Sequence, residues 1–337
     1  MVSLRAYVVT RVLLTVPTIL ILLSIVFLIM RVMPGDPVYA WLGPKARPEY
    51  AEALKRKLGL DKPIYLQFID YLWQLCHGDL GRSLIWGKRP VIVEIWEHFP
   101  ATVELSIFSF TISVLIGLFT GALSAHRYRT MVDHTLRLYG IVTYALFIPW
   151  FGMILQMSFG VYLGWLPVAG RIDVLMEPAT VTGLYVLDSI LTLNLLSLVS
   201  SLRHLALPSI TLGIYLSGIF TRTTRVNMLD VLRQDYIRAA RARGLPERIV
   251  VYKHALKNAF LPILTMMGLQ FALLLAGAVL TETTFSWPGV GTFLVERILY
   301  RDFTTVQGTI VFFAVLITAV SLIVDIIYAY IDPRIRF

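Results

Sequence analysis

The imidazole and thiol groups that could ligate a metal in this 337-residue sequence are six histidines, at 77, 98, 126, 134, 204 and 254, and one cysteine, Cys76. No two of those histidines stand at ligand spacing with an acid beside them. A lone cysteine makes neither a disulfide framework nor a multi-cysteine metal site. The phosphate-cradling pattern GxxxxGK[S/T] is absent, as are HExxH and GxSxG. The chain is therefore read as holding no cofactor and no metal, and as having no catalytic residue. Work done through it must draw on another subunit or on an ion gradient. What remains are ionisable and aromatic groups inside or beside long apolar stretches. Glu104 and Asp325 stand near the ends of such stretches, where hydrated or snorkelled placement is the simpler expectation. Glu282 closes another. Tyr144, Phe147, Trp150 and Phe151 surround Pro149, where a kink is expected. Core packing is expected of these rings ahead of lining a cavity.

The elements that position these groups follow from composition. Hydrophobic residues make up 57% and charged residues 15%, and mean hydropathy is +0.73. A soluble domain has about a quarter charged residues, needed to cover its surface. This chain must use lipid as part of its solvent. Charge-free stretches at 12–30, 105–126, 138–170, 205–221, 258–281 and 303–324 are each close to or above the ~17–25 residues that cross a bilayer. They predict six transmembrane helices. A further stretch, 189–202, is short and contains Asn194, so it reads as an interfacial or core helix. The first span follows Arg5 and Arg11 but is long for a signal peptide and has no small-x-small cleavage site after it. It reads as a retained anchor.

With the N- and C-termini in the cytoplasm, the whole basic excess of the +9 chain falls in cytoplasmic segments, and the external segments balance. A seventh span at 189–202 would put the nine Lys and Arg of residues 222–257 outside. The basic pI of about 9.6 thus reflects membrane orientation and gives no argument for nucleic acid. The reading divides the chain into a transmembrane helix at 1–30, an extracytoplasmic soluble excursion at 31–100 and a transmembrane core at 101–337. The excursion carries helical patterns at 49–60 and 63–75, the latter placing Leu66, Ile69, Tyr71, Leu72 and Leu75 on one face. It is sized for a cap or docking surface. Gly117 and Gly121 form a GxxxG stripe, expected to pack helices closely within the chain.

The loop at 222–262 is the most informative segment. The fourth span continues past the membrane as a helix, with Leu229, Leu232 and Tyr236 on one face. Asp235 is placed as N-cap of a short helix, Tyr236–Arg243, that Gly244 ends. Pro246 opens a second helix over Glu247–Ala259 with Ile249, Tyr252, Leu256 and Phe260 on one face. The short helix has a small-residue face at Ala239 and Ala240 among Arg238, Arg241 and Arg243. A helix of about nine residues is only ~14 Å long: a peg, fit for a groove in a partner. A membrane-surface helix is the alternative. A DNA-binding motif fits poorly, since both ends are tethered to the bilayer.

This loop resembles the one in permease subunits of ABC importers, where Ala-Ala-x3-Gly marks the coupling helix that docks on the ATPase. Ala239, Ala240 and Gly244 match it. Arg238 stands where the general pattern has Glu, and Pro262 lies further downstream than usual. Both departures are similar to the branch that imports dipeptides, oligopeptides and, in some members, nickel or oligosaccharides. Other segments resemble that branch over nearly the whole length: PGDP (34–37), GDLGRS (78–83), LGWLPVAG (163–170), HLALPSITLG (204–213), ETTFSWPGVG (282–291) and DPRIRF (332–337). The 171–203 insertion is longer than in shorter members, and its acids Asp173, Glu177 and Asp188 are expected to be structural.

The resemblance implies an all-α membrane protein with the type I ABC-importer permease fold, in the cell membrane of a prokaryote. It implies a second homologous permease, two cytosolic ATPases that bind ATP and Mg²⁺, and an extracytoplasmic solute-binding protein as partners, besides the lipid bilayer. It assigns ATPase coupling to Asp235, Tyr236, Ala239, Ala240, Arg241, Gly244 and Leu245. It sets Glu282, Phe285, Tyr144 and Trp150 on the translocation path. Two other classes fit less well. A gradient-driven secondary transporter calls for mid-span charges and paired repeats, and a membrane enzyme for acids and histidines clustered at one face.

Overall fold

The computed structural model describes residues 4–32, 47–57, 61–83, 85 and 87–331. The PGDP and DPRIRF segments and the end of the 49–60 pattern lie outside the described residues. All regular elements among the described residues are helical. They are α1 (Leu4–Val32), α2 (Pro48–Lys57), α3 (Ile64–Cys76), α4 (Val91–His126), α5 (Met131–Ala145) and α6 (Ile148–Leu155, continued as a π-helical Gln156–Tyr162). Next come α7 (Tyr185–Leu191), α8 (Leu195–Leu232), α9 (Asp235–Ala242) and α10 (Leu256–Leu275, preceded by a π-helical Ile249–Ala255). The last are α11 (Val279–Thr284), α12 (Val290–Leu299) and α13 (Phe303–Ile331).

Five helical stretches are long and apolar enough to cross a membrane, and a sixth crossing arises if α5 and α6 count as one broken span. Their positions follow the charge-free runs because a bilayer tolerates a long helix whose polar backbone bonds within itself. The kink expected at Pro149 is present. The span at 138–170 is broken into two helices bent by 102°, parted at Leu146 and Phe147, whose ψ values of 130° and 109° are extended. Pro149 lacks an N–H and sits in the first turn of α6, so the chain starts a new helix there. The 189–202 stretch is split as well. Leu193 takes a φ of +53°, and the Asn194 side chain accepts from the Ser197 N–H to cap α8.

At the centre, α4 crosses α8. A β-carbon at Gly117 would land in Phe220, and one at Gly121 would stand 2.5 Å from the Thr224 Cβ. The GxxxG stripe therefore serves contact within the chain, as expected. Residues at one end of the bundle continue that seam. Ala122, Ala125, Phe220, Met228, Val250, Val251, Ala255, Ala259 and Ile263 form one buried cluster that reaches out to Ile237 of α9. Where α4, α5 and α8 meet, Asp133 is buried and accepts from both Arg225 Nε (2.7 Å) and Nη2 (2.9 Å), and from Ser124 Oγ (2.6 Å).

Candidate functional site

The peg is α9. The α8 helix runs beyond the bundle to Leu232, and a tight turn with Gln234 N–H donating to the Val231 carbonyl starts α9. Gln234, extended at ψ 150°, is the N-cap, and Asp235 is the first helical residue. This corrects the expected cap. Asp235 sits in the first turn, where it meets Arg238 at 3.3 Å and complements the helix dipole. At the other end Gly244 has φ +71°. The Leu245 N–H reaches back to the Ala240 carbonyl and the Gly244 N–H to Arg241, the left-handed stop for which glycine is suited.

Ile237, fully buried against the Met228, Val250 and Val251 cluster, is the main side chain that holds the peg to the body, with Ala240 packed beside it. The sequence reading missed Ile237. The signal was present, since Ile237 is the one bulky aliphatic residue in DYIRAARA. A second tie crosses the Gly244 turn, where Arg241 Nε and Nη2 donate to Glu247 at 3.1 and 2.7 Å. This fork holds the Glu247 carboxyl below the usual carboxylate range. Ala239 is exposed and Ala240 half-buried, while Tyr236, Arg238, Arg243 and Leu245 are exposed. A half-open cleft of about 210 Å³ runs beside the peg, lined in part by His126, Tyr128, Arg233 and Arg241. The expected second helix begins as a π-helix, a geometry that recurs at functional sites. Its buried face is Val251, Ala255 and Ala259, whereas Ile249, Tyr252 and Phe260 are exposed. Val250 is fully buried as well, and Leu256 packs against the same cluster.

The four residues set on the translocation path do not come together. Glu282 and Phe285 are buried inside the chain, and Tyr144 and Trp150 are exposed, at 60% and 53%. Glu282 Oε1 accepts from Thr102 Oγ1 (2.7 Å) and Oε2 from the Thr292 N–H (3.0 Å), while Thr102 Oγ1 accepts from the Val290 N–H (2.8 Å). Trp287 Nε1 donates to the Ala101 carbonyl (2.8 Å), and the Gly170 N–H to the Phe285 carbonyl (3.0 Å). Gln156 Nε2 donates to the Thr284 carbonyl (3.1 Å). The 282–291 segment is thus an internal hub that joins α4, α6 and the 163–170 loop. The exposure of Tyr144, Phe147 and Trp150 corrects the expectation of core packing: the α5–α6 break turns these rings outward.

Glu104 also departs from expectation. It is buried rather than snorkelled, accepting from Arg171 Nε and Nη2 at 2.9 and 2.7 Å and from the Val186 N–H at 2.7 Å. The Arg171 guanidinium lies over the Tyr185 ring at 3.8 Å. Asp188, fully buried, accepts from the N–H groups of Val181, Thr182 and Gly183. The 171–203 insertion is therefore folded onto α4 by its own charges. Asp325 stays part-exposed and pairs with Arg11 at 3.3 Å.

Residues 113–337 match the family model described as binding-protein-dependent transport system inner membrane component, and residues 4–106 match its N-terminal companion model. The chain is 43% identical over 333 residues to the di/tripeptide transport system permease protein of Pseudomonas aeruginosa, covering 98% of each chain. It is 41% identical over 332 residues to the dipeptide transport system permease protein of Alkalihalophilus pseudofirmus, covering 98% of this chain and 99% of that one. To a glutathione transport system permease protein of Escherichia coli it is 37% identical over 334 residues, covering 98% of this chain and 99% of the relative.

Proposed function

The chain belongs to the binding-protein-dependent transport system inner membrane component family, with the all-helical type I ABC-importer permease fold, and from that premise we propose that it imports short peptides. In this reading it forms the pathway with a second, related permease. Two cytosolic ATPases dock on α9, and an external solute-binding protein delivers the peptide. Both termini lie in the cytoplasm of a prokaryotic cell. The substrate class rests on full-length relatives whose names specify dipeptides, di/tripeptides and glutathione. No observation favours oligosaccharides or nickel.

The observation that carries the coupling role is the construction of α9: an eight-residue helix standing clear of the bundle, with one buried side chain and exposed small and basic residues. Alanines at a contact face allow close approach, and arginines orient docking. When the ATPases close on ATP, a displacement of α9 is delivered to α8 and α10 through Ile237 and its cluster. The helices flanking the peg then rock, and the pathway between the permeases opens outward. The ATP chemistry belongs to the partner subunits, and this chain supplies the lever and the wall.

Purification of the tagged chain from native membranes in mild detergent tests the assembly. Two ATPases and a second permease are expected in the mass spectrum of what comes with it. Recovery of the chain alone in every detergent would refute the reading. Reconstituted with the recovered subunits and the binding protein encoded beside them, it is expected to take up labelled dipeptide on ATP addition.

A further inference from the structure

The end of the bundle opposite the peg carries a helix whose polarity fits neither water nor a protein core. On its inner side, α3 packs Tyr71, Leu72 and Leu75 against Leu23 and Val26 of α1 and Val311 of α13. The Phe27 ring of α1 lies 5.2 Å from Phe68 and 5.5 Å from Tyr71. Beside it runs an exposed apolar strip, with Ile64, Tyr65, Ile69 and Trp73 between 53% and 68% exposed, and Gln67, Asp70 and Gln74 form the one polar stripe that remains. A short helix with this much exposed apolar surface and a single polar stripe suits the membrane interface.

The contacts also fix its depth. Phe27 and Leu23 lie four and eight residues inside the charge-free run that ends before Arg31, so about 6 and 12 Å below the end of the apolar span at 1.5 Å per residue. Val311 is nine residues into the apolar span after Asp302, about 13 Å along by the same rise. The helix touching all three is therefore level with the nearer half of a hydrocarbon layer ~30 Å thick. Its 13 residues reach only ~20 Å, too short to cross. Two of its polar side chains pair locally. Lys62 Nζ meets Asp70 at 2.5 Å, and Gln67 Nε2 donates to the Lys62 carbonyl at 2.7 Å. The turn after it closes on itself, with the His77, Gly78 and Asp79 N–H groups donating to Gln74 and Leu75 carbonyls. Such internal pairing is what a lipid environment demands.

We propose that α3 is embedded in one leaflet of the bilayer, its exposed face of Ile64, Tyr65, Ile69 and Trp73 on acyl chains. With the N-terminus in the cytoplasm this is the outer leaflet. The segment after α1 is then a membrane anchor in part, and not wholly an aqueous excursion. The assignment does not depend on what is transported.

The test uses the assembled transporter in phosphatidylethanolamine–phosphatidylglycerol vesicles, in a Cys76→Ser background. Single cysteines at Ile69→Cys and Trp73→Cys, and at Tyr50→Cys on the polar α2 as the aqueous reference, carry a small polarity-sensitive fluorophore. Co-purification of the partner subunits shows that each variant is assembled. Brominated acyl chains are expected to quench roughly half the emission at positions 69 and 73, and iodide to act at least about fivefold more weakly there than at 50. Iodide quenching at 69 and 73 equal to that at 50 would place α3 in water and overturn the proposal. Protection from both quenchers would place a protein over the face, and would overturn it equally.

Discussion

Replacing Ile237 with alanine separates the peg from the transporter while leaving the bundle intact. Ile237 is the one fully buried side chain of α9. Truncating a buried isoleucine to alanine costs ~2–5 kcal/mol. Burial of the whole side chain contributes only ~1.5–3 kcal/mol, so the substitution removes essentially all of the apolar anchoring. An isolated helix of fewer than ~12–15 residues is marginal in water, so α9 has no reserve to keep it formed. At 3 kcal/mol the docked population shifts by about 150-fold. The loss stays local because the neighbours of Ile237, Met228, Val250 and Val251, remain packed with Ala255, Ala259 and Ile263. Three measurements on the reconstituted complex follow. Hydrogen exchange is expected to accelerate at 235–245 and to stay unchanged in α4 and α8. ATP-driven dipeptide uptake is expected to fall at least about tenfold with membrane insertion unaltered. Ile237→Val, at ~0.5–1.5 kcal/mol, is expected to stay within a few-fold of the parent. Parental exchange and uptake in Ile237→Ala would refute the idea that this side chain pins the peg.

Two further substitutions act on the same loop, and a pair acts at the far end. Gly244→Asp puts a β-carbon at φ +71°, at a cost of ~1–2 kcal/mol, and Ala240→Arg fills the small-residue face. Both are expected to abolish most ATP-driven uptake with insertion intact, as followed by transport and membrane yield, and normal uptake by both would remove the coupling assignment. Glu104→Gln leaves Arg171, 8% exposed, without its counter-charge, expected to cost ~3–5 kcal/mol and to lower the detergent melting temperature. Glu104→Gln with Arg171→Met is expected to recover part of that loss, and no recovery would show that the pair is not what holds the insertion to α4.

The spans were readable because a charge in hydrocarbon is costly, so their limits are written as charges: Arg11 and Arg31, Arg203 and Arg222. The peg was readable because Gly244 and Pro246 punctuate it with conformational requirements. Glu104 and Glu282 were misplaced or only half placed because a buried acid betrays itself through partners distant in sequence. Glu104 meets Arg171, 67 residues on, and Glu282 meets Thr102, 180 residues back. Hydropathy sees the acid and not the partner.

The pairings also determine how far a displacement of α9 can travel. At 38 residues, α8 is about 57 Å long at 1.5 Å per residue. Along that length it is fixed to α4 at several points: Gly117 against Phe220, Gly121 against Thr224, and Thr120 Oγ1 to Thr221 Oγ1 at 2.7 Å. Asp133 and Arg225 bring α5 into the same body. Such a body cannot bend at the peg and absorb the motion, because its helix contacts are close-packed and its buried charges lose their partners if they separate. In the coupling proposed above, the motion is then taken up where the packing is broken. The first such place is the 102° break between α5 and α6, where Tyr144, Phe147 and Trp150 stand exposed. From there Gln156 hands it to the 282–291 hub through the Thr284 carbonyl, and Thr102 ties that hub back to α4. A rigid lever, one break carrying exposed aromatic rings, and a hub at the far end are the parts that alternating access requires of one half of a pathway. In the proposed reading the buried hub is the part that holds its shape, and the exposed rings are the part left free to face the partner permease.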